Sequence, residues 1–185
     1  MRAVVLELRA RNLVQYLAIC CVAGALGALL GQRLTPVPGE LFSDLNEVPL
    51  VYLDPVVVAV SLAQWSPAGV WWIEHEARAA LPRAVIAAGV VLATLPVVIV
   101  AGGTGATLIA VRNTTLLTGT VLVVRRHSGA AAATASALVP SLIVWTFGWD
   151  ADSKPHAWAI LLAPAGSGVG ALLAAAVLTV GLARV

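Results

Sequence analysis

The stretch SPAGVWWIEHEARAALPR, residues 66–83, is a short polar island between long apolar runs. Its opening serine can cap a helix and the next proline suits a first helical turn, whereas Leu81-Pro82 can end a helix. Glu74 and Arg78 are spaced i,i+4 and can pair on one face. The pattern predicts a helix over about 67–81, with its apolar side on another face.

Trp71 and Trp72 indicate where this helix lies, because amphipathic rings favour the level of the lipid headgroups. We expect a helix at the membrane surface to which a partner protein can bind. The alternative is an ordinary interfacial helix that connects two spans and has no partner.

The composition predicts an all-α membrane protein. The chain has 185 residues, of which 60% are hydrophobic and 11% charged, with a mean hydropathy of +0.95. Several apolar runs approach or exceed the roughly 18–20 residues that cross a hydrocarbon core as helix. We therefore expect one polytopic transmembrane domain over 1–185. The net charge of +2 gives no reason to expect a nucleic-acid partner.

Six transmembrane helices account for the apolar runs, and the predicted helix over 67–81 connects the second and third of them. The first run is too long for the apolar core of a cleaved signal peptide, so we expect it to be retained. The second run is the shortest and partly polar. The predicted spans are about 13–32, 50–65, 84–101, 106–124, 130–149 and 158–183.

The basic residues predict the orientation of these spans. With a cytoplasmic N-terminus, the inner segments hold eight arginines, while the outer segments hold only Arg33 and Lys154. This agrees with the positive-inside rule and places both termini in the cytoplasm. We expect a multi-pass protein of the bacterial cytoplasmic membrane. The inner arginines are Arg2, Arg9, Arg11, Arg78, Arg83, Arg125, Arg126 and Arg184.

Arg112 lies within the fourth predicted span, where a charge costs at least about 2.5–3.5 kcal/mol on insertion scales. Three hypotheses account for it: structural pairing, with Asp54 as counter-ion; a partly re-entrant stretch over 102–111 that leaves Arg112 at an interface; or direct contact with a substrate. Asn113 can satisfy a neighbouring backbone or side-chain group.

Signatures of soluble enzymes are missing from the sequence. There is no P-loop, and the one lysine, Lys154, lies in a predicted outer loop. The histidines His75, His127 and His156 are scattered without ligand spacing, so the sequence predicts neither a metal site nor a cofactor in this chain. We expect no catalytic activity of its own.

The segment IEHEARAALPRAVIAAGVVLA, residues 73–93, resembles the coupling helix and third span of permease subunits of type-2 ABC exporters. Arg112-Asn113, Leu117-Thr118-Gly119 and Arg125-Arg126 are similar to a pattern in poorly characterised permeases encoded beside ATPase genes in high-GC bacteria.

The resemblance implies a cytoplasmic coupling helix that docks into a separate ATP-binding subunit, which would carry ATP and Mg²⁺. Glu74 and Glu76 would form its acidic face, with Arg78 nearby. It also implies a second permease chain, as a homodimer or a related heterodimer, and export of a hydrophobic or amphipathic substrate.

Two other functions stay open at this point. A non-transporting scaffold or accessory subunit would suit the short chain and its weak second span. A secondary transporter would place Arg112 and Asp54 in an ion pathway, although no inverted repeat with paired broken helices is visible.

Overall fold

The computed structural model describes residues 13–30, 34–38, 45–49, 52–65, 80–101, 105–149 and 154–183. Most of these residues are helical, so the predicted all-α class is confirmed. The main exceptions are one two-stranded ribbon, an isolated bridge between Trp149 and Pro155, and irregular backbone on either side of the 3-10 turn before the last helix. A short 3-10 turn, Ile160–Leu162, precedes the last helix. The elements are α1 (Leu13–Leu30), β1 (Leu34–Pro38), β2 (Leu45–Pro49), α2 (Asp54–Trp65), α3 (Ala80–Ala101), α4 (Gly105–Phe147) and α5 (Gly168–Ala183).

Helix α4 is a hairpin of two helical arms, 105–128 and 130–147, joined at Gly129. This glycine has φ 79° and ψ −177°, a backbone conformation that is essentially restricted to glycine. The two arms run back beside each other, because both reach the same 3-10 turn. Leu162 of that turn packs against Gly148, just after the second arm, and the carbonyl oxygen of Leu161 accepts a hydrogen bond from Asn113 in the first arm. The arms correspond to the predicted helices over 106–124 and 130–149.

Among the described residues, α4 is the one helix that is long and apolar enough to cross a membrane, judged by length and composition alone. Shorter apolar helical stretches cover Val14–Leu30, Ala84–Val100 and Gly168–Ala183. At 1.5 Å per residue the two arms of α4 are about 36 and 27 Å long. Both are close to the roughly 30 Å of a hydrocarbon core.

Glycines allow close helix packing within the chain. Gly24 of α1 faces the backbone carbonyls of Leu92 and Ala93 in α3. In the first arm of α4, a Cβ atom on Gly119 would lie 2.6 Å from the backbone nitrogen of Leu178 in α5. Any larger residue at either glycine would separate two helix backbones.

The second and sixth predicted spans differ from the helices observed. Helix α2 has 12 residues and is about 18 Å long, so it is shorter than a hydrocarbon core. The continuous helix predicted over 158–183 is wrong, because regular helix begins only at Gly168. The cause is Pro164, which has no N–H to donate to the carbonyl oxygen of Ile160.

The segment between α1 and α2 contains two short strands, although no strands are expected from the sequence. Strands β1 and β2 pair antiparallel, with Leu34 opposite Pro49 and Pro38 opposite Leu45. The ribbon precedes α2 and packs beside α4.

Of the predicted coupling helix over 67–81, residues 67–79 lie outside the described residues, and with them Glu74, Glu76 and Arg78. Residues 80–81 belong to the start of α3. Pro82 therefore lies in the first turn of α3, where its missing N–H removes no intrahelical hydrogen bond.

Candidate functional site

The candidate site is the polar centre formed by Arg112 and Asn113 in the first arm of α4. Arg112 is 6% exposed and Asn113 is 1% exposed, so both side chains are withdrawn from the surface of the bundle. A buried guanidinium is strongly destabilising unless most of its N–H groups find acceptors. The partners of Arg112 therefore define what this centre does.

The guanidinium donates to three backbone carbonyl oxygens, one in the 3-10 turn and two in the residues between that turn and α5. Its Nη1 lies 2.8 Å from the oxygen of Ala163 and 3.1 Å from that of Pro164. Its Nη2 lies 3.2 Å from the oxygen of Leu161. One arginine thus holds an irregular stretch of backbone against the first arm of α4.

Asn113 completes the arrangement by accepting one hydrogen bond and donating another. Its Oδ1 accepts from Nε of Arg112 at 3.1 Å, and its Nδ2 donates to the carbonyl oxygen of Leu161 at 2.8 Å. The Leu161 oxygen therefore receives donors from both side chains. This agrees with the expectation that Asn113 satisfies a neighbouring group.

The sequence explains why these carbonyls need side-chain donors. Pro164 interrupts the helical pattern, and the local backbone bonds are those of tight turns: Leu162 donates to Ala159 at 2.9 Å and Ser167 donates to Pro164 at 3.0 Å. The carbonyl oxygen of Leu161 instead accepts hydrogen bonds from the Arg112 and Asn113 side chains of α4. Oriented carbonyl dipoles also favour a positive charge beside them, as at a helix C-terminus.

Gly170, in the first turn of α5, makes room for the arginine stem. A Cβ atom on Gly170 would lie 3.1 Å from Cδ of Arg112, closer than ordinary van der Waals contact. The sequence pairs Gly170 with Gly166 as a helix-packing face. In the structure Gly166 has open space beside it, and Gly170 accommodates a side chain.

Asp54 is not the counter-ion of Arg112, so that prediction is wrong. Four N–H groups of the guanidinium are engaged, and none of these bonds goes to Asp54. One carboxylate oxygen of Asp54 is buried without a hydrogen-bond partner and lies against Gly27 of α1. The charge of Arg112 is therefore stabilised by the carbonyl oxygens of Leu161, Ala163 and Pro164 and by Asn113 rather than by Asp54.

The re-entrant hypothesis for Arg112 concerns residues 102–111, of which 102–104 lie outside the described residues, and it stays a prediction. Residues 105–111 are α-helical and continue without interruption through Arg112. Arg112 positions the backbone of this segment, since four of its N–H groups are bonded to protein oxygens. Direct contact of Arg112 with a substrate stays a prediction. Within the described part of the chain, no group of three or more His, Cys, Asp or Glu side chains is placed to hold a metal ion.

No family model matches this chain, and neither a curated protein nor a solved structure shows a match.

Proposed function

We propose that this chain is the membrane-spanning permease subunit of an ATP-driven exporter, which moves a hydrophobic or amphipathic substrate with a separate ATPase subunit. The bacterial cytoplasmic membrane, with both termini in the cytoplasm, is the location that the distribution of arginines favours.

The membrane placement is supported by the outward faces of the helices. Large apolar side chains project from α1, α3, α4 and α5, and Leu29, Ile99, Val169 and Leu172 are each at least 70% exposed. Apolar surface spread over several long helices is costly in water and suits lipid. The exposed apolar surface therefore supports the proposal that these helices lie in the hydrocarbon of a membrane.

The observation that carries the transport proposal is the interrupted helix over 158–167, in which Ala159, Leu161 and Leu162 are buried against the bundle while Trp158 stays exposed. Non-helical backbone at membrane depth is tolerated where protein surrounds it, and broken helices of this kind recur in transporters. Arg112 and Asn113 supply the donors that such a segment needs.

The ATPase partner is proposed from the sequence alone. The chain has no P-loop, and the segment over 67–81 offers Glu74, Glu76 and Arg78 between the second and third spans. Those residues form the proposed contact with the ATP-binding subunit. ATP and Mg²⁺ would be bound by that subunit.

The test is purification of the native complex in mild detergent, followed by identification of co-eluting proteins. We expect a P-loop ATPase to co-elute with the wild type and to be lost when Glu74 and Glu76 are both replaced by Ala. The matched control replaces Asp150 and Asp152, which have the same spacing in a predicted outer loop. Absence of an ATPase, or its retention in the Glu74/Glu76 double variant, would count against the proposal.

A scaffold or accessory subunit is the second candidate, and the short helix α2 favours it. With 12 residues, this helix crosses a bilayer only with the help of the residues that flank it. Such a subunit would co-purify with membrane proteins that lack a P-loop. The same purification therefore separates the two functions.

A further inference from the structure

Asp54, the first residue of α2, is an ionisable group that the Arg112 centre leaves unused. Its Oδ2 atom is buried and has no hydrogen-bond partner. The residue as a whole is only partly buried. A proton therefore has a short route to the carboxyl group, whereas the inner oxygen is closed to water.

Three helices meet around this oxygen. It lies so close to Gly27 of α1 that a Cβ atom on the glycine would overlap it. The same Cβ atom would lie 3.1 Å from Cγ2 of Val97, which is 2% exposed on α3. Because Oδ2 is buried in this contact, neither water nor a hydrated metal ion has room beside it.

An ionised carboxylate is poorly suited to this position. A buried charge without a partner is strongly unfavourable, because it loses its hydration and gains no hydrogen bond in exchange. The N-terminus of α2 favours a negative charge, and Asp54 lies in its first turn. That contribution is small beside the cost of an unpaired buried charge, so the balance favours a neutral carboxyl group.

The ionisable side chains described on the surrounding elements do not neutralise Asp54. The hydrogen bonds of Arg112 in α4 go to other acceptors. Tyr52, two residues before Asp54, interacts electrostatically with that arginine. On α1 the ionisable residue nearest in sequence to Gly27 is Cys21, about 9 Å away along the helix. Helix α3 carries none beyond its first turn.

We propose that Asp54 is a proton-binding site, whose carboxyl group is protonated at neutral pH where α1 and α2 pack together. One proton taken from water converts the carboxylate into a neutral carboxyl group, and no other reactant is needed. Loss of the proton leaves a charge that this contact cannot hold, so α1 and α2 separate at Gly27 until water reaches Oδ2. The site goes beyond the exporter function proposed above, because it needs neither an ATPase nor a substrate.

Infrared spectroscopy tests the proton directly, because a protonated carboxyl group has a C=O stretching band that a carboxylate lacks. The full chain is purified in a maltoside detergent, which contributes no ester or carboxyl band of its own. Aspartate labelled with carbon-13 at its side-chain carboxyl group shifts the aspartate bands and leaves the glutamate bands in place.

Replacing Asp44, Asp150 and Asp152 together by Asn leaves Asp54 as the one aspartate of the chain. The three replaced residues lie in predicted outer segments. In this Asp54-only chain we expect a protonated-carboxyl band at neutral pH that shifts on labelling and on exchange into heavy water. Adding Asp54→Asn should abolish the band.

Thermal unfolding over a range of pH, in the same detergent, measures the link to helix packing. The fold favours the neutral carboxyl group, so the stability that the proton contributes is complete at low pH and is lost as the pH rises through the range in which the band disappears. We expect the unfolding temperature of the Asp54-only chain to fall across that range. Adding Asp54→Asn, which places a neutral group of the same size there, should remove this fall.

Absence of a label-sensitive protonated-carboxyl band in the folded Asp54-only chain would overturn the proposal, as would a band that survives Asp54→Asn. An unchanged pH dependence of unfolding after Asp54→Asn would overturn the link to helix packing. If the chain with Asp54→Asn does not fold, labelled and unlabelled Asp54-only chains decide the question alone, since no other aspartate contributes. The assay contains no ATPase. Failed co-elution of an ATPase therefore leaves the proton site standing, and a missing band leaves the exporter proposal standing.

Discussion

At the scale of single residues, Arg112 replaces backbone donors that the chain itself does not supply. Its bonds to the carbonyl oxygens of Leu161 and Ala163 do the work that amide N–H groups do in a continuous helix, and it shares the Pro164 oxygen with the N–H of Ser167. The charge and the break in the helix therefore stabilise each other. The buried arginine would be unfavourable without the free carbonyl oxygens, and the free carbonyl oxygens would be unfavourable without the arginine.

We expect Arg112→Leu to destabilise the fold. Replacing both partners of a buried polar pair by apolar groups can be nearly neutral, but here the carbonyls remain. The Ala163 oxygen loses the donor that Arg112 supplies, at a cost of about 1–3 kcal/mol. Thermal unfolding in detergent, followed by tryptophan fluorescence, measures the change.

Thr115→Val is the control for this substitution. The Thr115 hydroxyl donates only to Val111 in its own helix, so its removal should change stability by less than about 0.5 kcal/mol. If Arg112→Leu unfolds at the same temperature as Thr115→Val, the carbonyls do not depend on the arginine.

The sequence is sufficient to identify Arg112 as a residue that needs partners, and Asn113 as one that can serve a neighbour. It does not identify those partners, because backbone carbonyls are present at every position and only the fold decides which are left free. Asp54 was the wrong choice for the same reason. A side chain of opposite charge is visible in a sequence, whereas an unpaired carbonyl is not.

At the scale of elements, Gly129 decides whether α4 is a rod or a hairpin. A Cβ atom at this position would meet nothing within 4 Å, so lack of space is not the reason that glycine is needed. The reason is the backbone φ of 79°, which other residues rarely adopt. The flanking residues continue regular helix on both sides. A single residue thus sets the direction of the second arm.

We expect Gly129→Ala to lower stability by about 1–3 kcal/mol, because its backbone conformation is essentially closed to other residues. Gly168→Ala is the matched control, since that glycine also has open space around it and begins α5 with helical backbone. Alanine at position 168 should be neutral or slightly stabilising. Heat denaturation of the two variants compares them, and equal transition temperatures would contradict the explanation.

The lengths of the hydrophobic runs predict the approximate positions of the helices well, because each run forms a helix that buries its apolar side chains. It fails at α2 and before α5. Asp54 and Pro55 start a helix late, and Pro164 interrupts one that the apolar composition would continue. The apolar content of a segment predicts whether it is buried in an apolar environment better than it predicts whether its backbone is helical.

At the scale of the whole molecule, the hairpin form of α4 makes a prediction about the sides of the membrane. Ser128 and Ala157 are both exposed and lie beyond opposite ends of the second arm. If that arm crosses the bilayer, the two positions face different compartments. The distribution of arginines predicts that Ser128 faces the cytoplasm.

We expect Ala157→Cys to react with a membrane-impermeant maleimide in intact cells, and Ser128→Cys to react only after permeabilisation. Wild-type chains, with Cys20 and Cys21 in the apolar first helix, supply the background. Equal reactivity of the two variants in intact cells would place both positions on one side, and the second arm would then not be a span.

The bond between Arg112 and the segment before α5 also sets an order on biosynthesis. Its carbonyl partners follow it by 49 to 52 residues, so at about 5–20 residues per second the ribosome supplies them roughly 3–10 seconds later. If the first arm of α4 is a membrane span, it carries an uncompensated charge during that interval, and its release into lipid is unfavourable. We then expect the arm to stay beside the insertion machinery until residues 161–164 arrive. A chain cut short before Leu161 should be removed by membrane proteases.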